Sequence, residues 1–240
     1  MTSVVISQSM YFPWVGLLEQ VRLADTFVHY DDVQFDRGFY NRVQVKTEQG
    51  ARWITVPLSN HRRGQTIDEI TVDNSIDWRR RHRDVLVQAY RKAPFLKDML
   101  GVVDAVFGRP MKTLADLSRA SLLALADYFG LRGNRSFLDS RHLGIAGTSS
   151  QRLRDIVLAV GGTTYITGHG ARNYLDHALL EQAGIAVRYM SYQCIPYPQL
   201  HGTFTPYVTG LDLVANCGSE GASVIASPAI DWRQFLDEPA

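Results

Sequence analysis

Short apolar runs alternate with helix-period stretches along this chain, and that alternation limits the folds open to it more than any other feature. The opening forty-odd residues already show the pattern. Residues 4–6 read as a buried strand, residues 17–24 place Leu17, Leu18, Val21 and Ala24 at helical spacing, and residues 26–30 read as a second strand. The pattern returns later. A helix capped by Ser149 or Ser150 carries Leu153, Ile156, Val157 and Val160 on one face and closes at Gly161-Gly162. Residues 165–167 then read as a strand, 172–182 as a helix stopped by Gly184, and 185–190 as another strand. Strands joined through helices predict a parallel sheet. The expected fold is therefore α/β: a mostly parallel Rossmann-like sheet with flanking helices.

Between these two stretches the period changes. Residues 42–46 and 53–57 flank Glu48-Gln49-Gly50, a hairpin turn. Residues 60–65 form a polar loop containing His61-Arg62-Arg63, and 67–72 a weak strand. From Ser75, an N-cap residue, Trp78, Val85, Leu86 and Ala89 keep helical spacing up to Pro94. A second helix runs from about 113 to 129 and ends at Gly130. The middle segment is thus helical, either part of one domain spanning 1–240 or a helical subdomain at about 75–130. Residues 194–206 carry Pro196, Pro198 and Pro206 and read as a long loop.

Composition narrows the function classes. Hydrophobic residues make up 45% and charged residues 20%, enough to build a sizeable core. A formal net charge of +1 lacks the basic excess of a dedicated nucleic-acid binder. Cys194 and Cys217 are too few for a disulfide scaffold and show no metal-ligand spacing, so no metal or cofactor is expected. The N-terminus has no signal-peptide pattern, and no apolar run approaches the roughly 20 residues of a membrane span. The expectation is a soluble, cytoplasmic protein with no membrane partner.

Three clusters carry candidate chemistry. The first follows the second strand: Asp31-Asp32, with Gln34, Asn41 and Arg42. Adjacent strand residues point to opposite faces, so both aspartates serve one site only if the chain bends. One of them is either a turn cap or a general base, with Asp32 the candidate. Open α/β sheets bind ligands at the carboxyl ends of strands, which also brings in Gln8. The second cluster, Arg79-Arg80-Arg81-His82-Arg83, lies in the first turns of a helix, where positive charge opposes the helix dipole. Arg79, Arg80 and Arg83 with His61 are either a solvated face balanced by Asp77 and Asp84 or a phosphate grip. The third is residues 192–202, with Cys194, Tyr197, Gln199 and His201. Cys194 is a packed small hydrophobe or a nucleophile, and His201 a base or donor. Gly168-His169-Gly170 lacks the third glycine of a dinucleotide fingerprint.

In order and spacing, a set of short pieces resembles the WbqC-like protein family along nearly the whole chain. These are Gln8 with Phe12-Pro13-Trp14-x-Gly16, Ala24-Asp25, Asp31-Asp32-Val33-Gln34, Asn41-Arg42, Trp53-x-Thr55-Val56-Pro57, His82 and Tyr90-x-Lys92-Ala93-Pro94. Ser150-x-Arg152-Leu153, Tyr165-Ile166-Thr167-Gly168, Tyr174-Leu175-Asp176, Tyr197-Pro198-Gln199, Phe204-x-Pro206 and Asp212-Leu213 follow. Two positions depart from the family pattern: Ser9 stands where proline is usual, and Cys194-Ile195 where His-Pro is usual. The opening unit is also similar to the first unit of nucleotidylyltransferases. It lacks their His-x-Gly-His signature, reading Trp14-Val15-Gly16-Leu17 instead.

The resemblance implies an acyl or aminoacyl (for example glycyl) transferase, forming an amide on a small-molecule amine or amino sugar in O-antigen or natural-product biosynthesis. The acyl donor would ride on CoA, a carrier protein or tRNA. In that reading Asp32 or His201 deprotonates the amine, with His82 the matching family histidine. Gln8, Gln34, Asn41, Arg42, Tyr197 and Gln199 hold substrate, and Arg79, Arg80, Arg83 and His61 grip the carrier. A Cys194 thioester hydrolase or cyclase is the alternative, and a non-catalytic sugar-nucleotide binding module a further one. The transferase account, as assigned to these residues, stands on the acidic pair and the proline-rich loop lining one pocket.

Overall fold

A computed structural model describes residues 1–36, 38–59 and 61–237. The first unit is β1 (Ser3–Ser7), α1 (Val15–Leu23) and β2 (Thr26–His29). The chain then leaves the sheet through the hairpin β3 (Arg42–Thr47) and β4 (Gly50–Thr55), and through the short pair β5 (Leu58–Ser59) and β6 (Thr71–Val72). Three helices follow, α2 (Trp78–Tyr90), α3 (Leu96–Phe107) and α4 (Leu114–Tyr128). The chain returns with β7 (Ser136–Asp139), α5 (Ser149–Ala159), β8 (Thr164–Thr167), α6 (His177–Gln182) and β9 (Ala186–Met190). It closes with α7 (Gly210–Cys217), β10 (Ala229–Asp231) and α8 (Trp232–Asp237).

The central sheet runs β10-β9-β8-β1-β2-β7, parallel except for the β10 edge. The mostly parallel α/β expectation holds, and its physical basis is visible in β1. Val4 and Val5 are both fully buried but on opposite faces. Val5 and Phe27 join Leu17, Leu18, Leu122, Leu125 and Leu211 in one core. Val4 and Val28 join Leu153, Ile156, Val157 and Leu180 in another. A sheet covered on both sides needs continuous apolar strands, which is why the strands read as runs rather than alternations.

Some elements differ from expectation. The helix read from Ser75 begins after Asp77, whose side chain accepts from the Arg80 amide at 3.2 Å. Ser75 instead sits in a turn, its amide bonded to Asp73. The cap of α5 is Thr148, one residue earlier than read. Residues 67–72 are a 3-10 turn, capped by a Thr66–Glu69 box, before the two-residue β6. The stretch 172–182 splits at Asp176, which caps α6. Elements α3, β7, β10 and α8 were not expected. Of the polar loop 60–65, Asn60 lies outside the described residues.

Candidate functional site

The strand order places β7 and β2 to one side of β1, and β8 and β9 to the other. Where the two directions part, between β1 and β8, the loops diverge and leave a crevice beyond the carboxyl ends. A cavity of about 710 Å³ lies there. Ser7 and Gln8 enter it from β1, Tyr30, Asp32 and Gln34 from the end of β2, and Thr167 and Gly168 from β8. Residues 147–149 and Arg152 bring in the first turn of α5, and Tyr174 closes one side.

Past the end of β2 the two aspartates part company. Asp31 turns inward, fully buried, and accepts from the Ser9 amide (2.8 Å), the Ser9 hydroxyl (2.8 Å) and Arg119 Nε (2.6 Å). Burial pushes its carboxyl up from the ordinary range, against the pull of Arg119. Because the Ser9 hydroxyl donates to Asp31, His29 Nδ1 at 2.9 Å must donate to Ser9. Burial drives that imidazole down to about 3, so it stays neutral. Ser9, His29 and Asp31 therefore form a closed structural knot, with the serine in the middle and no free nucleophile.

Asp32 turns to the cavity. One carboxylate oxygen accepts from the Ser140 hydroxyl and the other from Arg152. The pair is nearly desolvated, with side-chain exposures of 13% for Asp32 and 9% for Arg152. Arg152 also donates to the Ile145 carbonyl at 2.9 Å and lies over the Tyr30 ring at 5.0 Å. A cation in the first turn of α5 opposes the helix dipole, and Asp32 offsets it. Burial raises Tyr30, Tyr165 and Tyr174, so all three contribute neutral hydroxyls. Gln8 accepts the Tyr40 hydroxyl at 2.6 Å, which leaves its amide N–H₂ for a ligand. Among the described residues the lining carries one ion pair with amides and hydroxyls around it, and Ile6, Val33 and Leu153 supply an apolar part of the wall.

Of the expected site residues, this cavity gathers Gln8, Asp32 and Gln34 only. Asn41 donates to the Val56 carbonyl at 3.0 Å and holds the hairpin base. Arg42 donates to Gly38 O and stacks on Trp53 at 4.6 Å. His82 is a core residue. The Thr55 carbonyl takes one ring N–H, Tyr11 meets the other nitrogen at 3.0 Å, and burial lowers it to about 4.

The proline-rich loop does not reach the cavity. His201 Nε2 is 2.7 Å from the Ala89 carbonyl, beside the hairpin and α2. Cys194 lies against the Tyr192 hydroxyl. The two make no dyad, so the thiol hydrolase reading loses His201 as its activating base. Tyr197 packs by Asp212, and Gln199 accepts from Lys46 at 3.0 Å. The expectation that the acidic pair and this loop share one pocket is overturned: the loop leaves β9 and is pulled toward the hairpin by Lys46. The transferase assignment that drew on both segments falls with it, and any transfer chemistry has to be carried by the β1–β8 crevice alone.

The arginine run is largely committed as well. Arg80 pairs with Asp77 at 3.1 Å, and Arg83 grips Asp104 through two bonds of 2.7 and 3.0 Å. Arg79 donates to Asn74 and covers Trp78. His61 is exposed, edge-on to Phe35 at 5.2 Å. Among the described residues no group of three or more His, Cys, Asp or Glu could hold a metal.

Sequence reasoning gave no role to Arg152, Ser140, Tyr30 or Tyr174. Arg152 had a readable signal: it is four residues before Ile156, on the buried stripe of an amphipathic helix, where a charge needs a partner.

The model of the WbqC-like protein family matches residues 8–224. The chain is 33% identical over 224 residues to the uncharacterized protein Rv1507c of Mycobacterium tuberculosis (strain ATCC 25618 / H37Rv), covering 92% of this chain and 96% of that one. No solved structure matches.

Proposed function

The chain belongs to the WbqC-like protein family, and from the geometry of its crevice we propose that it is an acyl or aminoacyl transferase that forms an amide on an amine bound between β1 and β8. The observation that carries this reading is Asp32, a carboxylate at the wall of a cavity of ligand size whose lining is part polar and part apolar. An amine attacking a thioester or ester carbonyl must lose a proton as the carbon–nitrogen bond forms. Asp32 is the carboxylate lining the cavity that can take it. Ser140 and Arg152 fix the orientation of that carboxylate, and the amide N–H₂ of Gln8 with that of Gln34 supplies donors for the oxyanion. The proton then passes to the leaving thiolate or alkoxide. Base and oxyanion donors each supply about 10²- to 10³-fold in rate.

The acceptor is a small-molecule amine or amino sugar, the donor an acyl group on CoA, a carrier protein or tRNA, and the setting O-antigen or natural-product biosynthesis. A cytoplasmic location belongs to the same proposal; among the described residues no helix is long and apolar enough to cross a membrane. The test is transfer of a labelled acyl group from each donor class to a panel of amines. Asp32→Asn should lower turnover by at least about 100-fold; full turnover in that variant refutes the role of Asp32. One observation favours a second reading, a binding module: both Asp32 oxygens are already engaged. That reading expects amine binding without turnover for any donor.

A further inference from the structure

A second cleft, sharing no lining residue with the crevice, lies where the start of α2 meets the end of α3. Its volume is about 600 Å³. Three cations line it, Arg79, Arg109 and Lys112, and among the described residues no carboxylate does. Arg109 and Lys112 are exposed, and neither side chain forms an ion pair among the described residues. The acids that neighbour them in sequence are engaged elsewhere. Asp77 pairs with Arg80, Asp104 with Arg83, and Asp116 closes a capping box with Thr113. Phe107, Pro110 and the buried Met111 give the cleft an apolar floor.

Three cations on one cleft repel one another, and among the described residues none of them forms an ion pair. Arg79 meets only a neutral partner, Asn74, at 2.6 Å. We infer that this cleft binds a small phosphate-bearing ligand, its phosphate held by Arg79, Arg109 and Lys112 and its apolar part resting on Phe107 and Met111. Arg80 and Arg83, committed to Asp77 and Asp104, take no part. The inference is independent of the transferase reading and survives its failure.

Calorimetric titration of the full chain with inorganic pyrophosphate tests it. One-to-one binding is expected, weakened about tenfold by Arg109→Ala and again by Lys112→Ala. Both side chains are exposed, so thermal melting should show an intact fold. Arg233→Ala, remote in the chain and paired with Glu181, should bind like the parent. Absent saturation, an unaffected Arg109→Ala/Lys112→Ala double variant, or equal weakening in Arg233→Ala would each overturn the site. 1-Naphthyl phosphate should bind more tightly than inorganic phosphate; equal affinity overturns the role of the apolar floor.

Discussion

Asp31 and Asp32, adjacent in the chain, send their carboxylates to opposite sides of the β2 end: Asp31 to Ser9 and Arg119 in the interior, Asp32 to Arg152 at the cavity. One holds the strand ends together, and the other faces the ligand space. Asp31→Asn should therefore act on stability. It leaves Arg119 half-paired and a buried network broken, for a loss of about 3 kcal/mol. Chemical denaturation reads this directly, and a midpoint equal to the parent's would contradict it. Asp32→Asn should act on turnover and ligand affinity, and also on stability because it unpairs the nearly desolvated Arg152, so its turnover is compared on protein shown to be folded.

Acid should destabilise the fold well above the carboxylate range. His29 and His82 are buried, with values lowered to about 3 and about 4. Below pH 6.5 the unfolded chain takes up protons at these positions while the folded chain does not. The contribution of these two histidines is thus complete above that pH and falls as pH drops toward 4. Each histidine removes roughly 2 kcal/mol between pH 6.5 and 5. Unfolding free energies measured at pH 7 and pH 5 should show this drop in the parent. A His29→Asn/His82→Asn variant, although less stable at pH 7, should show a much flatter profile. An unchanged pH slope in that variant would sink the assignment.

Lys46 anchors the proline-rich loop. Its ammonium, on a residue only 3% exposed, donates to Thr203 O at 2.6 Å, Gln199 Oε1 at 3.0 Å and Gly202 O at 3.4 Å. It also faces the buried Asp212, which bonds the Tyr90 hydroxyl. Lys46→Met keeps the bulk but strands these acceptors, a loss of about 2–3 kcal/mol. Limited proteolysis should then cut within residues 194–206, where the parent resists. Equal resistance would show that the loop is held by other contacts.

The sheet was legible because burial on both faces writes strands as apolar runs such as Val4-Val5-Ile6, and helices between them leave their own period. Helix α3 was not, because Gly101 and the acidic and basic residues around it blur its stripe, although Met99, Val102, Val103 and Val106 are buried. Strand β7 was hidden for a related reason: Ser136–Asp139 is short and only half-buried. The site was half legible. Alternation separated Asp31 from Asp32, and the strand-end rule picked out Gln8 and Gln34. The convergence of Ser140 and Arg152 on Asp32 depends on the pairing of β7 with β2 and on the packing of α5, across more than a hundred residues of chain. The link from Cys194 to His201 failed because closeness in sequence says little inside an irregular loop.

Two glycines should respond to alanine in opposite directions. Gly210 opens α7, and its amide donates to the Pro13 carbonyl at 2.7 Å. An added Cβ would sit 2.9 Å from that same backbone oxygen and 3.2 Å from Leu18 and Leu125. The loop cannot retreat easily, since Thr209 also ties Phe12 O at 2.8 Å and Phe12 already holds a left-handed backbone. Gly210→Ala should cost about 1–3 kcal/mol. Gly101 lies inside α3 with helical geometry and nothing within 4 Å of a built Cβ. Gly101→Ala restricts the unfolded chain without a clash and should stabilise by about 0.5–1 kcal/mol. Denaturation midpoints of the two variants should bracket the parent, and a shift in the same direction for both would show that the start of α7 is not locked against the Pro13 loop.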